Sequence, residues 1–269
     1  MGFLDGVWLY PLLGAIAGIL AGLLGIGGGL VLVGALAWLL PLQGVPKEAA
    51  MHAALASSLA SIVLTAASSA RAHSRRGSVA WPTVKWMVPG LLLGGWLGSG
   101  FAVKLDDGAL RWIVAGYCVV AALQLLFGKN GYKGGSESAP APTGLPISAA
   151  GAGVGAVSAV VGIGGGSMTV PLLVWRGVAP VRAVGTSSAC GVAIGLASAL
   201  GYALHAPAGA LPQHAIGYVY LPAALGVAVA SVLAAPYGTR LAHKLSGKAL
   251  TRVFAAFLLA MAAMIASGG

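Results

Sequence analysis

Carboxylates are nearly missing from this chain. Only five of its 269 residues are Asp or Glu, and all charged residues together make up 7% of it. Hydrophobic residues make up 58%, and the mean hydropathy is +0.93. Soluble domains carry about 25% charged residues, so this composition excludes a soluble globular protein. Because apolar runs of about 20 residues recur along the chain, the sequence predicts an all-α, polytopic membrane protein.

Cysteine is scarce too, and its placement argues against several kinds of chemistry. Cys118 and Cys190 both lie in apolar stretches, which predicts two packed thiols rather than a disulfide or a metal pair. The sequence has no cluster of metal ligands and no nucleophile triad, so we expect no metal, no cofactor and no enzyme. No carboxylate falls inside a predicted span, which disfavours a carboxylate proton relay or a Na⁺ site.

Positive charge is what the chain has in excess. Fifteen Lys and Arg residues give a formal net charge of +10. In a soluble protein this excess would suggest nucleic acid as the partner, but here the cations lie in short loops between apolar spans. The positive-inside rule of membrane proteins accounts for that placement. We therefore expect the lipid bilayer, and no nucleic acid, as a partner.

One glycine motif occurs twice. Gly-Ile-Gly-Gly-Gly stands at Gly25–Gly29 and again at Gly162–Gly166, and both copies interrupt long apolar runs. Glycine inside a helix costs about 1 kcal/mol relative to alanine, so each copy predicts a broken helix. At membrane depth such a break is tolerated only where protein or a water-filled cavity surrounds it. Matching breaks in two halves favour a transporter's substrate site, although close helix packing is the alternative role for these glycines.

The second half of the chain repeats the first. The sequence predicts a first transmembrane repeat over 1–127, a cytoplasmic linker over 128–145 and a second repeat over 146–269. Each repeat is expected to hold a glycine-tipped hairpin, either broken or re-entrant, followed by three transmembrane helices. The predicted helices span about 8–24, 30–41, 47–70, 82–103 and 109–127 in the first half, and about 146–161, 167–176, 180–203, 215–237 and 249–267 in the second.

Loop charges predict that the two repeats are inverted. The loop 71–78 carries three arginines, whereas its counterpart 204–214 carries no Lys or Arg. The next pair of loops reverses this bias, because 240–252 carries four cations while 104–111 carries two that are offset by two aspartates. With the cation-rich loops placed in the cytoplasm, both termini are predicted to lie outside.

Candidate binding groups follow from the glycine motifs. Backbone N–H groups at the start of a helix attract anions, and glycine lets an oxyanion approach closely. Pro180 aligns with Pro46, which matches Thr186 to His52; the imidazole could bind a ligand or carry a proton, or it could simply be packed. The hydroxyls could bind substrate oxygens or their own helix. The predicted substrate-binding residues are Gly25, Gly27, Gly28, Gly29, His52, Ser57, Gly162, Gly164, Gly165, Gly166, Gly185, Thr186, Ser187 and Ser188.

Taken together, these motifs resemble a known family. The repeated glycine motif, the prolines Pro46 and Pro180, and the segment Gly185-Thr186-Ser187 are similar to those of the sulfite exporter TauE/SafE family, also called the 4-toluene sulfonate uptake permeases. The first half departs from the pattern, since it has Val33-Gly34 where a proline would match Pro171. It also has Met51-His52-Ala53 where Gly-Thr-Ser would match, which predicts an asymmetric site.

The resemblance implies a function. It implies a secondary transporter in the bacterial cytoplasmic (inner) membrane that moves a small sulfur-containing anion, such as sulfite, thiosulfate, sulfoacetate or another organosulfonate, by alternating access. A proton or a counter-anion is the expected coupling partner, and a homodimer is among the assemblies left open. The alternatives are an anion channel with the same site, or a membrane assembly factor that transports nothing.

Overall fold

The computed structural model describes residues 8–24, 28–127, 141–211, 214–242 and 247–267, and these ranges are mostly α-helical. A single 3-10 turn, Lys47–Ala49, precedes α3, and a two-stranded antiparallel hairpin joins α8 to α9. The helices are α1 Leu9–Leu24, α2 Gly29–Leu42, α3 Ala50–Arg75, α4 Trp81–Ala102, α5 Asp107–Phe127, α6 Leu145–Val161, α7 Gly166–Trp175, α8 Pro180–Leu204, α9 Leu221–Ala242 and α10 Gly247–Ala266; the strands are β1 Ala215–Ile216 and β2 Val219–Tyr220.

The all-α prediction is confirmed, but some helix bounds differ: α3 and α9 each end five residues later than predicted, and α9 also starts later. The predicted helix 215–237 begins late, because residues 215–220 form the hairpin, in which Ala215 pairs with Tyr220 and Ile216 with Val219. Gly217 supplies the turn with a φ of +56°, which glycine adopts without steric cost. The β-branched and aromatic residues of the segment favour a strand, and their apolar character conceals the boundary from a hydropathy reading.

Helices α3 and α8 form the centre of the bundle. Among the described helices, the segment Lys47–Arg75 and helix α8 are both long and apolar enough to cross a bilayer, and each is mostly buried. The two run antiparallel, since Leu59 lies against Gly195 and Ser69 lies against Ser188. A Cβ at Gly195 would lie 2.9 Å from the Leu59 carbonyl oxygen, so glycine allows this approach.

Around this pair, helices of one half pack on helices of the other. Helix α4 packs along α6, and α1 packs along α9. Glycine seams let both pairs approach: Gly94 of α4 faces the backbone of Ala152, and Gly14 of α1 faces that of Val227. Tryptophans and leucines on the outer faces of the bundle are exposed, as expected of surface that meets lipid tails.

Candidate substrate site

The second glycine motif forms the connection between α6 and α7. Helix α6 ends in a left-handed Gly162, with φ +78°, and the N–H groups of Gly162 and Ile163 both donate to the Ser158 carbonyl, at 2.9 and 3.1 Å. Gly165, with φ +75°, caps the start of α7. L-residues with a Cβ adopt this conformation at a cost, so both turns depend on glycine. Helix α7 has 10 residues, or about 15 Å, half the hydrocarbon core of a bilayer.

The two glycine motifs meet in the middle of the bundle. A Cβ at Gly29, the first residue of α2, would lie 2.7 Å from the Gly162 carbonyl oxygen. Ser58 of α3 bridges the two, since its hydroxyl donates toward the carbonyls of Gly29 and Gly162, each at 3.3 Å. Gly28 packs on the Ala17 carbonyl at 2.7 Å by the same measure. The predicted residues Gly25 and Gly27 lie outside the described residues.

This meeting point gathers partial positive charge without a cation. Helices α2 and α7 both begin beside it with about half a positive elementary charge each, and the C-terminus of α6 offsets only part of this. Among the residues whose burial is described, no Lys, Arg, Asp or Glu is buried. The electrostatic field at the centre therefore comes from backbone dipoles and hydroxyls, an arrangement that suits a small anion.

Two hydroxyls next to the connection have no hydrogen-bond partner among the described residues. Thr169 of α7 and Ser158 of α6 are fully buried, and their oxygen atoms are unpaired. The Thr169 Oγ1 lies 3.4 Å from the position that a Cβ on Gly165 would occupy. Sequence reasoning did not identify either residue, although the spacing of four between Gly165 and Thr169 puts both on one face of a helix.

His52 lies at one end of α3, away from the glycine contact. Its Nε2 is 3.3 Å from the Ala102 carbonyl and 3.1 Å from the Leu105 carbonyl, so Nε2 carries the proton in the neutral ring. The ring stacks on Tyr218 with centroids 4.8 Å apart, and Nδ1 is buried without a partner among the described residues. His52 precedes Ser58 by six residues, or about 9 Å along the helix.

Residues of the hairpin close over this end of α3. Ser57 is fully buried and accepts a hydrogen bond of 3.0 Å from the backbone N–H of Tyr220, the last residue before α9. Burial and the nearby carboxylate of Asp107 raise the pKa of Tyr218, so this phenol stays protonated at neutral pH. The predicted binding residue Ser57 is therefore engaged by the protein itself.

Gly185, Thr186, Ser187 and Ser188 lie at the opposite end of α3. Thr186 accepts a 2.9 Å bond from the Ala80 N–H and donates a 2.7 Å bond to the carbonyl of Arg182. Gly185 packs on the backbone of Ser78, Ser187 is buried, and Ser188 donates to the Val184 carbonyl at 3.0 Å.

The predicted residues thus fall into three places instead of one. The glycines meet at the centre, while His52 and Thr186 lie near opposite ends of the α3–α8 pair, about 25 Å apart by helical rise. The physical reason is the antiparallel packing: matching positions near the starts of two antiparallel helices lie at opposite ends. An alignment based on Pro46 and Pro180 therefore matches residues that are distant in space.

Comparisons with known proteins agree over nearly the full length. The family model described as "Sulfite exporter TauE/SafE" matches residues 10–265. A protein of Haemophilus influenzae, described as a probable membrane transporter protein, is 35% identical over 257 residues, covering 95% of this chain and 96% of the relative. A protein of Xylella fastidiosa with the same description is 28% identical over 253 residues, covering 93% and 90%. No solved structure matches.

Proposed function

We propose, from the premise that this chain belongs to the sulfite exporter TauE/SafE family of membrane transporters, that it moves a small sulfur-containing anion by alternating access. The substrate class comprises sulfite, thiosulfate, sulfoacetate and other organosulfonates. Membership of this family means that the protein is a membrane transporter. The anion, the direction of transport and the mechanism are what we propose.

The observation that carries the proposal is the meeting of the two glycine motifs. Gly29 touches Gly162 across the two halves, and Ser58 near the middle of α3 reaches both carbonyls. Two helices that begin at one buried point direct their positive ends towards it. Discontinuous helices from two repeats that meet at midplane are the usual form of a secondary transporter's anion site.

The proposal includes two inverted repeats, 1–127 and 146–269, joined by the linker 128–145. The exchange of packing partners supports it, because α4 packs on α6 as α1 packs on α9. The reversed loop charges support it independently. Under this proposal the termini lie outside the bacterial cytoplasmic membrane.

Two hydrogen bonds at opposite ends of the central pair act as gates in this scheme. The N–H of the residue before α9, Tyr220, donates to Ser57, and the N–H of the residue before α4, Ala80, donates to Thr186. Each bond ties a helix start to the central helix of the other half. Both bonds are formed in this structure, which corresponds to a state closed at both ends.

Coupling is assigned to His52, with a proton as the coupling ion. Its Nδ1 is a buried acceptor that has no donor among the described residues, and imidazole is the side chain that titrates near neutral pH. Exchange against a counter-anion is the competing scheme. It differs in requiring an anion on the other side of the membrane.

Transport by purified protein in liposomes tests the proposal. We expect saturable uptake of ³⁵S-labelled sulfite, acceleration by unlabelled anion inside, and stimulation by an inward proton gradient that is lost in His52→Gln. Absence of binding and of flux for every sulfur anion tried would overturn the function. Flux without saturation or counterflow would identify a channel, and acceleration by internal anion without any effect of the proton gradient would identify anion exchange.

A further inference from the structure

We propose that the Thr169 hydroxyl and the N-terminus of α7 together form an oxyanion subsite for a singly charged sulfonate or sulfite head group. This inference rests on the proposed function and specifies which groups at the glycine meeting point bind the anion. It also restricts the substrate class by charge.

The first support is a run of unused amides. In the α6–α7 connection the N–H groups of Gly162 and Ile163 donate to Ser158, and those of Met168 and Thr169 donate to the Gly165 carbonyl at 3.1 and 2.7 Å. The four amides between them, in residues 164–167, have no backbone acceptor among the described residues. Consecutive free amides at a helix start form a concave group of donors that suits an oxyanion.

The second support is the hydroxyl of Thr169, which is independent of the amides. Two helical threonines of this protein bond a carbonyl of the preceding turn: Thr65 bonds Ser61 at 3.3 Å and Thr186 bonds Arg182 at 2.7 Å. Thr169 makes no such bond, although it is fully buried. Its Oγ1 lies 3.4 Å from the position that a Cβ on Gly165 would occupy, within the same turn as the free amides. An unpaired buried hydroxyl is costly, and a bound oxyanion would satisfy it.

Access to this space requires one side chain to turn. The Cδ1 atom of Ile194 lies nearest to the Cβ position of Gly165, and Val154 lies at 3.5 Å. Since Cδ1 is the far end of a flexible side chain, a rotamer change of Ile194 opens the subsite without moving the backbone. The Ile194 side chain therefore fills the subsite in this structure, and binding of an anion requires that side chain to move.

Charge balance sets the class of ligand. The helix starts of α2 and α7 each supply about half an elementary positive charge, and the C-terminus of α6 at the same connection offsets part of it. None of the Lys and Arg residues whose burial is described is buried. A field of this size favours a singly charged head group. A dianion such as thiosulfate would keep an uncompensated charge in a low-dielectric site, which is strongly unfavourable.

The test measures dissociation constants for methanesulfonate and thiosulfate on the full-length protein in detergent, by titration calorimetry. We expect methanesulfonate to bind more tightly than thiosulfate. Thr169→Val should weaken methanesulfonate about tenfold or more, because a hydrogen bond to a charged group is lost, and Thr169→Ser should stay within about threefold of the wild type. The matched control is Thr83→Val, since Thr83 is another fully buried, unpaired hydroxyl, on α4.

Each outcome decides between the two proposals. Equal methanesulfonate affinity in wild type and Thr169→Val would overturn the subsite while leaving the transport function standing. Tighter binding of thiosulfate would overturn the charge class. An equal loss in Thr83→Val would assign the effect to packing and overturn the subsite. Absence of binding of every sulfur anion by the wild type would remove the function itself. If Thr169→Val does not fold, Thr169→Ala takes its place with the same expected loss.

Discussion

At Gly162, a hydrogen atom in place of a side chain allows Val33 of α2 and Leu55 of α3 to pack against the turn. The residue has φ +78°, and a Cβ there would lie 2.7 Å from the Cδ2 of Leu55, with the Cγ2 of Val33 closer still. The conformation alone costs an L-residue about 1–2 kcal/mol, and crowding of a packed core adds about 1–3 kcal/mol. The same residue provides the carbonyl that Ser58 reaches, so the turn and the contact depend on one position.

We therefore expect Gly162→Ala to lower the free energy of unfolding by about 2–5 kcal/mol. The control is Gly153→Ala on α6, where a Cβ would meet nothing within 4 Å and should be neutral or slightly stabilising. Thermal or denaturant unfolding in one detergent compares the two variants. Equal stability of both would contradict the role given to Gly162.

For single residues, the sequence predicted the breaks at the glycine motifs but not which hydroxyl groups are hydrogen-bonded. The two copies of the motif are visible because a five-residue repeat in an apolar chain has a plain signature. Thr186 and Thr169 both look like ordinary helical threonines, yet one is fully hydrogen-bonded and the other is not. That difference depends on which loop packs against each helix, and local sequence does not carry it.

Among the elements, the hairpin β1–β2 packs over one end of α3. It covers His52 through Tyr218 and engages Ser57 through the amide of Tyr220. At the opposite end of the bundle, the short loop before α4 engages Thr186 through the amide of Ala80. Two elements of different structure thus make the same type of contact, one amide to one hydroxyl.

Each of these two contacts should protect its own amide from hydrogen exchange, independently of the other. Ser57→Ala should accelerate hydrogen exchange at the Tyr220 amide about tenfold, because a hydrogen bond contributes about 1–1.5 kcal/mol to local protection, and it should leave the Ala80 amide unchanged. Thr186→Val should do the reverse. Exchange followed by mass spectrometry on both variants checks this. If each variant accelerated exchange at both amides equally, the two contacts would not be separate gates.

Most helix boundaries followed from the sequence, although α3 and α9 end later than predicted, and the largest difference, at the start of α9, is informative. The predicted starts at 180 and 82 agree with α8 and α4 within one residue, because Pro residues and charged loops mark them. The start of α9 was wrong by six residues, since the segment from Ile216 to Tyr220 is as apolar as a span. Hydropathy reports burial in lipid and in protein alike. It therefore does not distinguish a buried strand from the start of a membrane-spanning helix.

For the whole molecule, the remaining question is orientation. Arg75 and Asp106 are exposed, at the end of α3 and after α4, respectively. The inverted arrangement that we propose puts Arg75 in the cytoplasm and Asp106 outside. Cys118 and Cys190 are buried, so both can be replaced by alanine to give a background for labelling.

In that background, a membrane-impermeant maleimide added to intact cells should label Asp106→Cys and leave Arg75→Cys unlabelled until the cells are opened. The reason is the excess of cations on the side of Arg75. Labelling of Arg75→Cys from outside would reverse the orientation. Labelling of both from outside would contradict the assignment of α4 as a membrane-crossing helix.

The exchanged packing of the two halves also sets a waiting time during synthesis. Gly14 and Gly18 of α1 pack on Val227 and Ser231 of α9, which leave the ribosome roughly 200 residues later. At about 5–20 residues per second, α1 spends about 10–40 s in the membrane before its partner exists. Helix α4 waits less, because α6 follows it closely in the chain. Helix α1 therefore stays without its partner for longer than α4 does, and throughout that interval its glycine seam faces lipid or other helices instead of α9.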